Sequence, residues 1–215
     1  MMDEKKISRA VINRLPRYYR YLGQLLTNDV KKTSSKELSK IMNITASQIR
    51  QDLNNFGCFG QQGYGYDVES LYQEIENILG INNKHTMIVI GCGNLGQALS
   101  NYDKFEKIGF KIVGMFDKNP DLIGNISAGG ILIQSMDILH AFLEDNDVDV
   151  AVLTVPRSGA EEVAEILSRN KIKGIWNFAN VELKLNNPDI VVENMQITDS
   201  LLTLAYKIQD KPNEL

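Results

Sequence analysis

The chain has 215 residues, of which 43% are hydrophobic and 23% are charged, and its formal net charge is −4. This balance is typical of a soluble globular protein with one large or two small domains, and no apolar run is long enough to cross a bilayer. No signal-like segment opens the chain, so a cytoplasmic location is expected. The few cysteines and histidines argue against a disulfide framework and a zinc site, and no metal site is predicted; they are Cys58, Cys92, His85 and His140.

Charge is distributed unevenly along the chain. Residues 5–50 hold eleven Lys or Arg and only two acids, whereas residues 81–215 hold twelve basic and eighteen acidic residues. A basic N-terminal part on an acidic chain favours an anionic polymer as a partner. A solvated basic surface is the alternative.

The N-terminal part predicts a helix-turn-helix. A first helix is expected in "LPRYYRYLGQLL", which has apolar residues at helical spacing. Ser34 and Glu37 form a capping-box pattern in "SSKELSKIM", and Asn43 suits the tight turn that follows. Thr45 and Gln48 predict a second capping box at the start of "TASQIRQDLNN". Two short capped helices joined by a brief turn are the layout of a helix-turn-helix.

The second of these helices is predicted to present its polar face to DNA. Its outward residues are short or planar donors and acceptors, as base and phosphate contacts require. Arg50 suits either a guanine edge or a phosphate, and an ordinary polar helix face is the alternative. The residues predicted to bind DNA are Arg14, Lys36, Thr45, Ala46, Ser47, Gln48, Arg50, Gln51, Asn54, Tyr64 and Tyr66.

A glycine-rich stretch, "FGCFGQQGYGYDV", follows this helix and predicts a short hairpin. Such a wing can bring Tyr64 and Tyr66 close to the DNA backbone; a plain hairpin that packs its tyrosines on the core is the alternative. "DVESLYQEIENILG" then predicts a helix capped by Asp67 and ended by Gly80. The polar linker "INNKH" marks the boundary between a first domain, residues 1–82, and a second, residues 83–196.

Strands and helices alternate in the second domain, which favours an α/β fold with a doubly wound parallel sheet. Ser158 and Glu161 predict a capping box after the strand "AVLTVP". The predicted strands are Met87–Ile90, Lys111–Phe116, Ile131–Gln134, Val148–Val155, Gly174–Phe178 and Ile190–Glu193.

The stretch "IVIGCGNLGQALSNY" carries the pattern G-x-G-x-x-G between a predicted strand and a predicted helix. In a dinucleotide site Gly91 allows the tight turn, Gly93 lets the backbone approach a pyrophosphate, and Gly96 lets helix and strand pack closely. The helix N-terminus adds unpaired N–H groups. Asp117 ends the next strand and is expected to bind the adenosine ribose, which favours NAD(H) over NADP(H), although the adjacent Lys118 weakens that preference.

No hydride-transfer partner is visible at the ends of the later strands, which argues against an enzyme. A thiol in the phosphate loop could have a lowered pKa, but Cys92 is expected to be a small filler residue. The residues predicted to bind the dinucleotide are Gly91, Cys92, Gly93, Asn94, Leu95, Gly96, Asp117, Lys118, Thr154, Val155, Pro156 and Asn177.

The chain ends with "ITDSLLTLAYKIQD", which predicts a helix over 197–215 with a broad apolar stripe and Thr198 as its cap. This helix is expected either to pack on its own domain or to reach a partner subunit. Helix-turn-helix proteins usually bind palindromic DNA as two-fold dimers.

Taken together, these stretches resemble the redox-sensing transcriptional repressor family Rex over nearly the full length of the chain. The matching motifs are "RLPRYYRYL", "SSKELS", "TASQIRQDL", "FGQQGYGYDV", "IGCGNLGQAL", "GMFDKNP", "TVP", "KGIWNFA" and "VVEN". The resemblance implies a winged-helix domain, a Rossmann domain and an exchanged C-terminal helix. It also implies a homodimer that binds palindromic operator DNA, senses NADH and NAD⁺, and leaves the operator when NADH is bound.

The resemblance also implies a switch that links the two domains. Family members connect an arginine of the first helix, a tyrosine after the glycine loop and an aspartate near the last helix. Arg20 and Tyr102 match the first two, and Tyr102 is therefore expected near the nucleotide as well. Gln196 stands at the aspartate position, with Asp199 as a substitute three residues on. Arg50 is followed by Gln51 where many members have a second arginine, so a different operator preference is expected.

Two other functions are compatible with the residues. One is a small NAD-dependent dehydrogenase with a helical N-terminal cap, which predicts turnover and no DNA binding. The other is a regulator that binds CoA or another nucleotide on the same fold.

Overall fold

A computed structural model describes residues 7–56, 60–61 and 65–209. The chain divides into two compact units, residues 1–83 and residues 84–215.

The N-terminal unit is a small helical domain with a short antiparallel sheet. The strands lie in the order β1-β3-β2. Apolar side chains of all the longer helices form its core, among them the fully buried Tyr18, Leu38 and Ile49. The elements are α1 (Arg9–Ile12), α2 (Leu15–Thr27), β1 (Lys32–Thr33), α3 (Ser35–Met42), α4 (Ala46–Asn54), β2 (Gly60–Gln61), β3 (Gly65–Asp67) and α5 (Val68–Leu79).

The helix-turn-helix consists of α3 and α4. The predicted capping box of Ser34 and Glu37 is confirmed, with both reciprocal hydrogen bonds formed. Asn43 ends α3 in the left-handed conformation, at φ 53°, which asparagine tolerates better than most residues. The second capping box is only half formed. The Thr45 hydroxyl accepts from the Gln48 backbone amide, but the Gln48 side chain donates to Asp52 and not to the Thr45 backbone.

The strands β2 and β3 pair antiparallel, as a wing hairpin requires. Gly65 lies at φ 74°, and a Cβ there would come within 2.5 Å of the Thr33 carbonyl oxygen, so glycine lets β3 lie against β1. Tyr66 is half-buried against the core of the unit, which favours the alternative of a core-packing tyrosine. Tyr64 and Cys58 lie outside the described residues.

The second unit is a parallel α/β domain. The predicted doubly wound sheet is confirmed: six parallel strands lie in the order β6-β5-β4-β7-β8-β9, and the order reverses between β4 and β7. The elements are β4 (His85–Ile90), α6 (Asn94–Ser100), α7 (Lys104–Lys107), β5 (Phe110–Asp117), β6 (Ile133–Ser135), α8 (Leu139–Asp145), β7 (Val150–Leu153), α9 (Arg157–Ser168), β8 (Gly174–Asn177), β9 (Val191–Asn194) and α10 (Ile197–Gln209).

Two predicted helix starts in this unit are wrong. α9 begins at Arg157 and has Pro156 as its N-cap without a side-chain hydrogen bond, so Ser158 lies inside the first turn and forms no capping box. A proline fixes φ near the value that a helix entry needs, which moves the start ahead of the serine. α10 begins at Ile197, so Thr198 is a helical residue and not the cap.

Candidate functional site

The glycine loop lies between β4 and α6, beside the point where the strand order reverses. Gly91 has φ 96°, and a Cβ there would come within 2.8 Å of the Thr154 backbone. A Cβ on Gly96 would come within 2.1 Å of the Gly91 carbonyl oxygen. A Cβ on Gly93, by contrast, would meet nothing within 4 Å. Two of the glycines therefore serve packing, and the third leaves an open approach to the loop backbone.

Asp117 lies at the end of β5 and is tied directly to this loop. One carboxylate oxygen accepts from the Cys92 amide at 2.5 Å, and the other accepts from the Asn119 amide at 2.8 Å. A carboxylate has about four acceptor positions, so each oxygen keeps capacity for a further donor. The carboxylate is thus held at the rim of the loop in one orientation, while the adjacent Lys118 is exposed.

Thr154 joins the end of β7 to the same loop. Its hydroxyl donates to the Gly91 carbonyl oxygen at 2.6 Å, and the Ile90 carbonyl oxygen lies 3.1 Å from the same hydroxyl oxygen. The hydroxyl is therefore a brace for the loop. Val155 is half-buried against the core, and Pro156 is exposed directly ahead of α9.

The Cys92 thiol is not activated. The side chain is 1% exposed and donates to the Phe116 carbonyl oxygen at 3.4 Å. Burial, with a smaller contribution from the Asp117 charge, raises the pKa of Cys92 to about 12. Cys92 is therefore a small filler residue, as expected. It contributes to the loop through its backbone amide, which donates to the Asp117 carboxylate.

Asn177 lies at the end of β8 and is 2% exposed. Its amide nitrogen donates to the Val181 carbonyl oxygen at 2.7 Å and to the Asn194 side chain at 2.8 Å, and its oxygen accepts from the Ala179 amide at 3.0 Å. Both donors are used inside the protein. Asn177 therefore holds the loop that follows β8, and its contact with a nucleotide stays a prediction.

Tyr102 follows α6 and is 47% exposed. Its ring packs edge-on against Phe105, with centroids 4.9 Å apart, and the Lys104 ammonium lies 5.8 Å from its centroid. Near α10, the Gln196 amide, oriented to satisfy both groups, donates to the Asp199 carboxylate at 3.1 Å. These two residues therefore form one polar unit at the start of the last helix.

In the N-terminal unit, the outer face of α4 carries most of the predicted DNA-binding residues. Ser47, Arg50, Gln51 and Asn54 are exposed, and Lys36 on α3 is exposed as well. The Arg50 guanidinium donates to the Ser35 hydroxyl at 3.1 Å, which links α4 to the start of α3. This face of α4 presents the Arg50 cation and the amides of Gln51 and Asn54 to solvent, and Lys36 lies on the neighbouring α3.

Two of the predicted DNA-binding residues bind a buried carboxylate, and their contact with DNA stays a prediction. Asp52 is 0% exposed, and it accepts two hydrogen bonds from Arg14, one from Tyr18 and one from Gln48, at 2.7–2.9 Å. Arg14 and Gln48 are thus structural in large part. The sequence held a signal for this cluster, because Ile49, Asp52 and Leu53 share the inward stripe of α4.

The second unit leaves two apolar surfaces uncovered by its own described residues. The first is α10, whose large apolar side chains are 51–68% exposed; they are Ile197, Leu201, Leu202, Leu204, Tyr206 and Ile208. The second is a groove of about 330 Å³ on one sheet face, called here the Trp176 groove. It is lined by Phe105, Ile108, Phe110, Trp176 and Val191, among others.

Within the described ranges, no group of three or more His, Cys, Asp or Glu side chains is arranged to hold a metal ion. No helix in the same ranges is long and apolar enough to cross a membrane.

A helix-turn-helix unit followed by a doubly wound unit with a dinucleotide-type glycine loop defines a class of protein, the DNA-binding regulator with a nucleotide-sensing domain. Family models agree: residues 6–54 match "Putative DNA-binding protein N-terminus" and residues 82–181 match "CoA binding domain". A "Redox-sensing transcriptional repressor Rex" of Clostridium botulinum is 56% identical over 208 residues, covering 96% of this chain and 98% of the relative. Its namesake from Clostridium tetani is 51% identical, covering 98% and 99%.

Solved structures give the same result. The chain is similar to RSP in complex with β-NAD⁺ and operator DNA, with a TM-score of 0.89, 49% identity and coverage of 95% of this chain and 94% of that one. It is also similar to RSP in complex with β-NADH, with a TM-score of 0.88, 45% identity and coverage of 96% of each. RSP is described as a Rex-family repressor. The chain belongs to the Rex family of redox-sensing transcriptional repressors. Membership confirms the expectation of a regulator and disfavours the dehydrogenase.

Proposed function

We propose that this protein is a redox-sensing repressor that binds operator DNA as a homodimer and leaves it when NADH is bound. The observation that carries this proposal is the pairing of an exposed helix-turn-helix face with a dinucleotide-type loop in one chain, in a family of repressors. Residues 1–82 bind DNA, residues 83–196 bind NAD(H), and residues 197–215 contribute to dimerisation. A cytoplasmic location follows from a partner that is operator DNA.

The outer face of α4 is the recognition surface. Ser47, Arg50, Gln51 and Asn54 reach base edges and phosphates from the major groove, and Lys36 adds a phosphate contact. Arg14 and Gln48 act mainly through Asp52, although Arg14 keeps the N–H groups of Nη1 for a phosphate.

The glycine loop and Asp117 fit a dinucleotide. Open space at Gly93 admits the pyrophosphate to the loop backbone, whose first-turn amides lack intrahelical partners. The Asp117 carboxylate keeps acceptor capacity for the two ribose hydroxyls. These features support the assignment of Gly91–Gly96 and Asp117 to the nucleotide site, with Val155 and Pro156 beside it after the end of β7.

Loop and ribose contacts are shared by NAD⁺ and NADH, so they cannot distinguish the two. Only a different interaction at the nicotinamide can shift the balance between DNA-binding and released states. Arg20, Tyr102 and the Gln196–Asp199 unit carry the switch in this proposal. The hydrogen-bonded Gln196–Asp199 pair supplies a carboxylate where Gln196 alone would not.

The two uncovered apolar surfaces support the homodimer. An exposed helix with six large apolar side chains is unfavourable in water. The Trp176 groove offers apolar surface of matching character on the same unit. Each chain gives its α10 to the partner and receives the partner's α10, which is the exchanged helix that the family resemblance implies.

The family model that matches residues 82–181 bears the description of a CoA-binding domain, so a CoA-responsive regulator is the rival that a specific observation favours. The solved Rex-family structures hold β-NAD⁺ and β-NADH instead. The Asp117 carboxylate at the ribose position also suits an unmodified ribose better than the 3′-phosphate of CoA, because a carboxylate and a phosphate are both negatively charged and repel each other.

One experiment separates these possibilities. Operator binding by the full-length protein is measured in gel shifts with no nucleotide, NAD⁺, NADH or CoA. Release by NADH alone is expected. Equal effects of NADH and NAD⁺, or release by CoA alone, would contradict the proposal, and NADH turnover with small carbonyl substrates would revive the dehydrogenase.

A further inference from the structure

The cavity at the start of α9 holds two opposite charges that the nucleotide site described above does not use. It has a volume of about 610 Å³ and is lined by Pro156, Arg157, Ser158, Glu161 and Val181. Arg157 and Glu161 are one helical turn apart and lie on the same side of α9. Both are exposed, and neither side chain pairs with another described residue.

The position of this cavity along the sheet indicates which part of a bound dinucleotide lies next to it. Asp117 at the end of β5 takes the adenosine ribose, and the glycine loop after β4 takes the pyrophosphate. A dinucleotide that crosses the switch point therefore extends its nicotinamide over the ends of β7 and β8. α9 follows β7 and Val181 follows β8, so Arg157 and Glu161 flank the nicotinamide end.

The two redox forms differ at that end by one unit of charge. The nicotinamide ring of NAD⁺ is a cation, whereas that of NADH is neutral. A fixed cation nearby opposes the charged ring, and a fixed anion favours it. Helix stability does not account for Arg157, because the helix dipole opposes a cation in the first turn.

We propose that Arg157 and Glu161 set the redox selectivity of the site by acting on the charge of the nicotinamide. Arg157 raises the preference for NADH, and Glu161 lowers it. This inference rests on the proposed function. It explains physically how the site distinguishes NAD⁺ from NADH, which are otherwise nearly identical.

The test is the ratio of the NAD⁺ and NADH dissociation constants, measured by calorimetry on the full-length protein. R157Q should lower the ratio of the NAD⁺ constant to the NADH constant about three- to tenfold, and E161Q should raise it by a similar factor. R169Q is the matched control, since it makes the same change at the opposite end of α9, where Arg169 pairs with Glu165. Its ratio should equal that of the wild type.

Because both nucleotides are titrated into the same preparation, a general loss of folding cancels from the ratio. High salt should shrink the differences between variants, since exposed charges are screened. If R157Q and E161Q leave the ratio unchanged or move it in the same direction, the inference is overturned while the proposed function stands. If the wild type binds neither nucleotide, the proposed function itself fails.

Discussion

Arg14 binds the carboxylate of Asp52 through two parallel hydrogen bonds, Nε to Oδ2 and Nη2 to Oδ1, each 2.7 Å long. Arg14 precedes α2 and Asp52 lies in the last turn of α4, so the pair ties the recognition helix to the first long helix. Tyr18 and Gln48 complete the coordination of the buried carboxylate. The orientation of α4 is thus set by a charge cluster beneath it and not by apolar packing alone.

Replacement of Asp52 by asparagine should destabilise the N-terminal unit by about 3 kcal/mol, because a buried arginine contact loses its anion. The amide also presents N–H groups to donors that need acceptors. Urea unfolding followed by circular dichroism measures the loss. D103N changes a carboxylate that is 75% exposed and should stay within about 0.5 kcal/mol of the wild type. Equal stabilities of D52N and D103N would contradict the structural role of the cluster.

The hydrogen-bonded cluster around Asp52 predicts that the unfolding free energy of the N-terminal unit depends on pH. Burial raises the pKa of Asp52, but hydrogen bonds from Arg14, Gln48 and Tyr18 outweigh it, so the pKa lies below its ordinary value. The stabilisation is therefore present above the unfolded pKa of about 3.9 and is lost as the pH falls through the lower folded pKa. The difference in unfolding free energy between wild type and D52N should narrow as the pH drops below about 4.

Urea titrations at a series of pH values measure that difference. Other carboxyls with lowered pKa, such as Glu37 and Asp67, are present in both proteins and cancel. A difference that stays constant through the acid range would show that the Asp52 charge is not the stabilising feature.

The glycine loop shows what a local pattern can predict. Gly91 and Gly96 follow from the G-x-G-x-x-G spacing because their need is a matter of backbone geometry, encoded within a few residues. The doubly wound parallel sheet follows from the alternation of predicted strands and helices along the chain. The structural role of Asp52 could not be predicted from the local pattern, because Arg14 and Tyr18, which donate to its carboxylate, come from a distant segment. The role of Asn177 could not be predicted either, because its side chain is satisfied by the irregular loop after β8 and by Asn194. The helix start at Arg157 shows one local signal, Pro156, prevailing over another, Ser158.

Alanine substitutions at Gly96 and Gly93 should have separate effects, the first on stability and the second on nucleotide binding. A methyl group on Gly96 collides with the Gly91 carbonyl oxygen, so G96A should lose about 1–3 kcal/mol of stability. G93A meets open space at an ordinary φ of −69° and should fold normally. Its methyl group occupies the pyrophosphate approach, so its NADH affinity should fall about tenfold or more, equivalent to about 1.4 kcal/mol. Thermal unfolding and NADH fluorescence titration measure the two effects. A stable G93A with wild-type NADH affinity would refute the assignment of the loop.

The exposed apolar stripe of α10 predicts that the protein forms a dimer through this helix. Leu202 is 68% exposed on the single chain, and burial of a charge at that position in a dimer is costly. L202E should therefore raise the dimer dissociation constant by about 100-fold or more, equivalent to about 2.7 kcal/mol. T203E is the control, since Thr203 lies on the polar side of the helix and its hydroxyl donates to the Asp199 carbonyl oxygen. Sedimentation equilibrium measures both, and a dimeric L202E would exclude α10 as the interface.

Arg50 is the strongest candidate for a specific DNA contact, because its guanidinium is exposed on α4 and held by Ser35. R50Q should weaken operator binding by about 1–3 kcal/mol and reduce the salt slope by about 1. Binding to operator and to scrambled DNA distinguishes the two contacts that Arg50 suits. A loss confined to the operator identifies a guanine edge, whereas an equal loss on both sequences identifies a phosphate. K111Q, an exposed cation on β5 of the other unit, should leave both affinities unchanged, and unaltered binding by R50Q would remove Arg50 from the interface.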